Sequence, residues 1–191
     1  RAVAGSMNDP VRALAVSSLG EALVPVTEDR RLLGSSILNY DARGLEYVEP
    51  MGVVLSPEEW YAVTGNTLGN QYSLTKLMWL RDNDPALFQG AHWMLPWGSL
   101  VAYMLGAEAA VDWSLANRTL LFDVNRGDWS HELADAAGID LAKLPRATPS
   151  GTAIGTVYDE LADELGLPRG VAIVTGAHDQ CANALGAGAT R

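Results

Sequence analysis

The stretch Val171–Gly188, VAIVTGAHDQCANALGAG, restricts the possible folds of this chain more than any other. Val171 to Thr175 is an unbroken apolar run, the pattern of a strand covered on both faces, as in a sheet flanked by helices. Gly176 and Ala177 then predict a tight turn. Asp179 to Leu185 reads as a helix, so Asp179 falls at or just before a helix N-terminus. Unpaired N–H groups there favour an ionised carboxylate. An ionised aspartate at the carboxyl end of a buried strand can accept a proton from a substrate hydroxyl. The same residue can equally be only an N-cap.

The rest of the chain fits an α/β fold with strands at both ends and a long helical middle. Val11–Ser18 and Ala22–Thr27 read as adjacent strands joined by Leu19-Gly20-Glu21. Pro25 places the second of them at an edge or a bulge. Ser56-Pro57-Glu58-Glu59 is a capping box with proline at the first helical position, and Gly65 is the stop. Ser73 opens a second helix, Leu95–Leu105 a third, Asp112–Asn117 a fourth and Ser130–Gly138 a fifth. Ala153–Val157 is a strand, followed by a helix over Tyr158–Leu165.

Composition excludes several classes of function. With 48% hydrophobic and 19% charged residues, the chain has the make-up of a folded globular domain. A net charge of −10 opposes nucleic acid and anionic lipid as partners. No apolar run reaches the roughly 18 residues of a membrane span. The lone cysteine, Cys181, allows no internal disulfide and suits a reducing, cytoplasmic setting. His178, Asp179 and Cys181 do not have zinc-site spacing, so no metal site is expected. Arg1 without an initiator Met or leader, and a last segment without a closing element, read as cut ends.

Several blocks in series resemble the FGGY carbohydrate kinases, of xylulokinase and glycerol kinase type. Ser73–Asn83 (SLTKLMWLRDN) is similar to the family segment built on Lys-x-x-Trp-Leu. Asp112–Thr119 (DWSLANRT) resembles its Asp-x-Ser-x-Ala block, and Asp123–Ser130 (DVNRGDWS) its Asp-x-x-x-Gly-x-Trp-Ser block. Leu144-Pro145, Gly151, Gly155 and Gly166-Leu167 follow in order. Gly176–Gln180 then resembles the segment that carries the family's catalytic aspartate, here Asp179.

The resemblance implies a ribonuclease-H-like domain of the actin and hexokinase superfamily with a long helical insertion. It also implies that residues 1–191 are a partial sugar-binding domain. The first strand with its phosphate loop would precede it, and the ATP domain would follow. The implied activity is ATP-dependent phosphorylation of a sugar or polyol hydroxyl, with Mg2+ bound mostly by the other parts and no cofactor-binding residue assigned in this chain. The isolated segment is expected to be inactive. Gly20 and Glu21 occupy the place of the family's sugar loop. Asp41 and Arg43 resemble its Trp-x-Asp-x-Arg segment, with Asn39 where Trp is usual, and are read either as a sugar contact or as a structural ion pair. Lys76 and Trp79 are read as packing and orienting residues. The alternative function is a non-catalytic sugar-binding module derived from such a kinase. A homodimer is left open.

Overall fold

A computed structural model describes residues 9–189. The N-terminal apolar run forms two short strands, β1 (Ala13–Leu14) and β2 (Ser17–Ser18), and the next run forms β3 (Leu23–Val26). Four helices follow: α1 (Val48–Val54), α2 (Pro57–Thr64), α3 (Ser73–Asn83) and α4 (Pro85–Gly90). Helix α2 starts as its sequence predicts. Ser56 Oγ accepts from the Glu59 N–H, the Glu59 carboxylate accepts from the Ser56 N–H, and Gly65 closes the helix in the left-handed region. Leu74 and Leu77 of α3 are buried with Met51, Trp60, Leu120 and Leu133, giving the helical middle its own core.

The run Leu95–Leu105 is not one helix. It divides into β4 (Trp93–Pro96) and α5 (Trp97–Leu105). A residue before proline is pushed out of the helical region, so Leu95 stays extended and the helix begins after Pro96. Strand β3 lies antiparallel to β4, with Pro25 opposite Met94. The expected pairing of β3 with the preceding run therefore does not form. Buried Met94 and Leu95 supply a partner for β3, and among the described residues its other edge carries only the bridge Val26–Leu32.

The remaining elements are β5 (Ala110–Asp112), α6 (Trp113–Asn117), β6 (Phe122–Asp123), β7 (Asp128–Trp129) and α7 (His131–Ala137), then β8 (Arg146–Thr148) and β9 (Ala153–Thr156). Helix α8 (Asp159–Leu165), β10 (Ala172–Val174), β11 (Ala177–His178) and α9 (Asp179–Gly186) complete the described chain. Strand β1 runs parallel to β10, which pairs antiparallel with β9 on its other side. Strand β2 runs parallel to β11, and β5 parallel to β8. In β10 only Ile173 is fully buried, packed with Ile154 and Val157, while Ala172 and Val174 are half-buried. Gly176 is needed for close approach more than for a turn. A Cβ there would collide with the Val16 carbonyl oxygen between β1 and β2.

A second glycine fixes the loop that carries Asp41 and Arg43. Gly44 has φ 87°, and a Cβ on it would overlap the Thr75 carbonyl oxygen at the start of α3. Gly44→Ala is expected to cost about 1–3 kcal/mol through left-handed strain and the forced shift of this loop. The urea midpoint of the variant measures this, and a wild-type midpoint would refute it.

Candidate active site

Parallel β2 and β11 end side by side, and each is followed by candidate residues: Gly20 and Glu21 after β2, Asp179 after β11. The two strand ends touch, because a Cβ on Gly20 would overlap the Arg118 side chain and come within 3.1 Å of His178 Cδ2. Ligands of α/β proteins gather at such carboxyl edges.

Asp179 is the first residue of α9. His178 takes the N-cap position, and no side-chain capping bond forms there. The carboxylate is thus not spent on the helix N–H groups. Its Oδ1 is buried without a hydrogen-bond partner. The Nε2 of His178 lies 3.3 Å away but is not aligned as a donor. The side chain as a whole is 44% exposed, so its other side is open. A buried carboxylate oxygen is rarely left without a donor.

The turn before Asp179 is tied to α6. The His178 N–H donates to Ser114 Oγ at 2.8 Å, and the Ser114 hydroxyl donates to Asp112 Oδ1. That same oxygen accepts from the N–H groups of Ser114 (2.9 Å) and Leu115 (3.0 Å), capping α6. Asp112 is 2% exposed. Burial pushes its carboxyl pKa up, partly offset by the bonds from Ser114 and Leu115.

Glu21 is buried and both of its oxygens are engaged. Oε1 accepts from Arg118 Nε at 2.7 Å and lies 2.6 Å from Arg118 Nη2, and Oε2 accepts from the Gly20 N–H at 3.2 Å. Arg118 also donates to Asn66 Oδ1 at 3.3 Å, and its guanidinium lies 4.7 Å from the centre of the Tyr72 ring. The group that reaches toward solvent from this pair is Arg118, at 24% side-chain exposure against 7% for Glu21. Neither Arg118 nor Asn66 stands out in the sequence. Arg118 sits inside the Asp112–Thr119 block, but its partner is a distant part of the chain.

Asp41 and Arg43 pair with each other at 2.6 Å. The Arg43 guanidinium and N–H hold the Asp41 carboxyl down at about 2. Arg43 also lies 5.1 Å from the Trp79 ring centre. This loop meets the site through α3. Lys76 Nζ donates to the carbonyls of Asp41 (2.6 Å) and Arg43 (2.7 Å), and burial pushes its pKa down. One turn earlier, Ser73 Oγ donates to the Glu21 carbonyl at 2.7 Å. The first turn of α3 therefore fastens both loops. Among the described residues, no group of three or more His, Cys, Asp and Glu side chains is placed to share a metal ion. No described helix is long and apolar enough to cross a membrane.

The family model for the N-terminal domain of the FGGY family of carbohydrate kinases matches residues 3–186. An L-fuculokinase of Salmonella typhi is 31% identical over 179 residues, covering 94% of this chain and 38% of that protein. An autoinducer-2 kinase of Escherichia coli is 29% identical over 191 residues, covering 98% of this chain and 36% of that protein. The chain thus spans well under half the length of these relatives. The crystal structure of a xylulose kinase from Rhodospirillum rubrum superposes on the whole chain with a TM-score of 0.90 at 28% identity, covering 39% of that chain. This likeness shows the α/β, ribonuclease-H-like fold of the actin and hexokinase superfamily that the family resemblance implies. From the model match and the relatives together, the chain belongs to the FGGY family of carbohydrate kinases.

Proposed function

We propose that this chain is the partial N-terminal, sugar-binding domain of an enzyme that phosphorylates a hydroxyl of a sugar or polyol. The supporting observation is Asp179. Its carboxylate carries a buried oxygen with no donor and follows β11, whose end lies beside the end of β2 and the Gly20–Glu21 loop. A substrate hydroxyl supplies the missing donor. Asp179 takes that proton as the oxygen attacks the terminal phosphorus of the phosphate donor, and the bond from that phosphorus to the leaving phosphate breaks. The donor in this reading is ATP, with magnesium neutralising its phosphate oxygens when bound. The residues of this chain orient the acceptor hydroxyl and receive its proton.

The surroundings suit a polyhydroxy ligand. Arg118 offers a guanidinium beside Gly20 at the end of β2, and Glu21 and Asn66 hold it in place. Asp41 and Arg43 stand one helical turn further along α3 and are proposed as the rim of the same site. The relatives, an L-fuculokinase and an autoinducer-2 kinase, set the substrates worth trying. The full-length protein carrying this chain should release ADP from ATP with at least one member of a panel of ketoses and polyols. Binding of a panel member without ADP release would favour the non-catalytic sugar-binding module instead.

A further inference from the structure

We infer that Ser114, fixed by Asp112, is a positioning residue for Asp179: it holds the His178 peptide so that the candidate base points into the site. The inference rests on the kinase reading above and deepens it. A serine hydroxyl has one proton and two acceptor lone pairs. Here the proton goes to Asp112 Oδ1, which leaves the oxygen free to accept the His178 N–H at 2.8 Å. Asp112 cannot easily turn away. It is buried at the end of β5, and the same Oδ1 accepts two N–H groups of α6. The hydroxyl is therefore oriented from inside the fold, and the peptide it captures is the one directly before Asp179.

A purely structural reading assigns Asp112 and Ser114 to capping α6 alone. The cap is already complete without the hydroxyl, because the N–H groups of Ser114 and Leu115 reach Asp112 by themselves. Strand β11 is only two residues long, Ala177–His178, so few other bonds fix its end. His178 makes no side-chain bond to α9, and Asp179 makes none to its own helix. The bond from Ser114 is thus the side-chain fastening nearest the carboxylate, beside the ladder pairing of His178 with Ser18. A displacement of about 1 Å at a catalytic group can cost about a hundredfold in rate.

The test uses the full-length protein with Ser114→Ala and Ser114→Thr. Steady-state kinetics are read together with amide hydrogen exchange over the peptide spanning Gly176–Cys181. Ser114→Ala is expected to lower kcat by about 10–100-fold with sugar KM within about twofold of wild type. Exchange at the His178 amide should quicken by about tenfold or more, while α3 keeps its protection. Ser114→Thr, which keeps the hydroxyl, should restore both. Wild-type kcat in a folded Ser114→Ala protein, or unchanged exchange at His178, would overturn the inference. Should Ser114→Ala fail to fold, Ser114→Cys replaces it, since a thiol is a similar size but a weak acceptor, and the same outcomes apply. If the wild-type protein phosphorylates no sugar, the kinase reading falls, and the exchange measurement alone decides whether Ser114 holds the turn.

Discussion

Asp179→Asn in the full-length protein is expected to lower kcat for sugar phosphorylation by about 10²–10⁴-fold, the usual loss when a general base is removed. The fold should survive. Asp179 caps nothing, and asparagine keeps the shape of the side chain, so the thermal midpoint should move by no more than that of a typical surface substitution, about 0.5 kcal/mol. Sugar KM should change less than kcat, because the lost proton transfer belongs to the transition state. Measuring kcat, KM and the thermal midpoint of this one variant separates the readings. Near-native kcat would remove Asp179 from the chemistry, and a large fall in stability with normal kcat would make it a structural residue.

Arg118→Ala should have the largest effect on stability. It strands the Glu21 carboxylate in a pocket where it is 6% exposed. Removing one member of a buried pair typically costs about 3–5 kcal/mol. Arg118 is partly exposed, and water entering its place softens the loss, so about 2–4 kcal/mol is expected here. Glu21→Gln in the same chain should recover part of this, since a neutral amide tolerates burial without a cation beside it. The double-mutant cycle in urea provides the measurement. A single-variant cost below about 0.5 kcal/mol would show that the pair is in effect solvated. In the kinase reading Arg118→Ala also raises sugar KM, and that increase should persist in the Arg118→Ala, Glu21→Gln double variant even as stability returns. Recovery of KM together with stability would mean that the increase came from the disturbed loop and that Arg118 makes no contact with the sugar.

The local pieces of this fold were legible wherever short-range chemistry decides them. The capping box at Ser56–Glu59 and the Gly65 stop are fixed by neighbours within one turn, and both form. The α/β class followed from the texture of Val171–Gly188. Pairing was not legible in the same way. Val11–Ser18 and Ala22–Thr27 looked like neighbours because they are close in sequence. Which strand each accepts depends on residues about 70 to 160 positions away, Met94 for Pro25 and Ala172 for Ala13. The helix expected from Leu95 failed for a local reason that was visible: Pro96 makes its predecessor extended. The candidate site shows the same division. Asp179, Gly20 and Glu21 could be chosen from their blocks, and the structure brings their loops together. Arg118, which takes up Glu21, could not, because a charge pair spanning 97 residues leaves no pattern along the chain. Ser114 was in view only as a member of the Asp112–Thr119 block, and its bond to His178 exists only once β11 lies against α6.

The first turn of α3 has a consequence for diversification among such proteins. Ser73 grips the backbone of the Glu21 loop, and Lys76 grips the backbone of the Asp41–Arg43 loop, in each case by main-chain carbonyls. A carbonyl is present whatever the side chain. The side chains of the Asp41–Arg43 loop can therefore be exchanged without disturbing its handle, whereas Gly20 and Glu21 are held by Arg118 as well. In the kinase reading, substrate preference then becomes a property of a cassette clipped to the bracket of Ser73 and Lys76. A graft that carries a foreign loop but alters Ser73 or Lys76 should lose the loop's placement, whereas one that keeps the bracket and rewrites residues 39–43 should keep the architecture and change the guest.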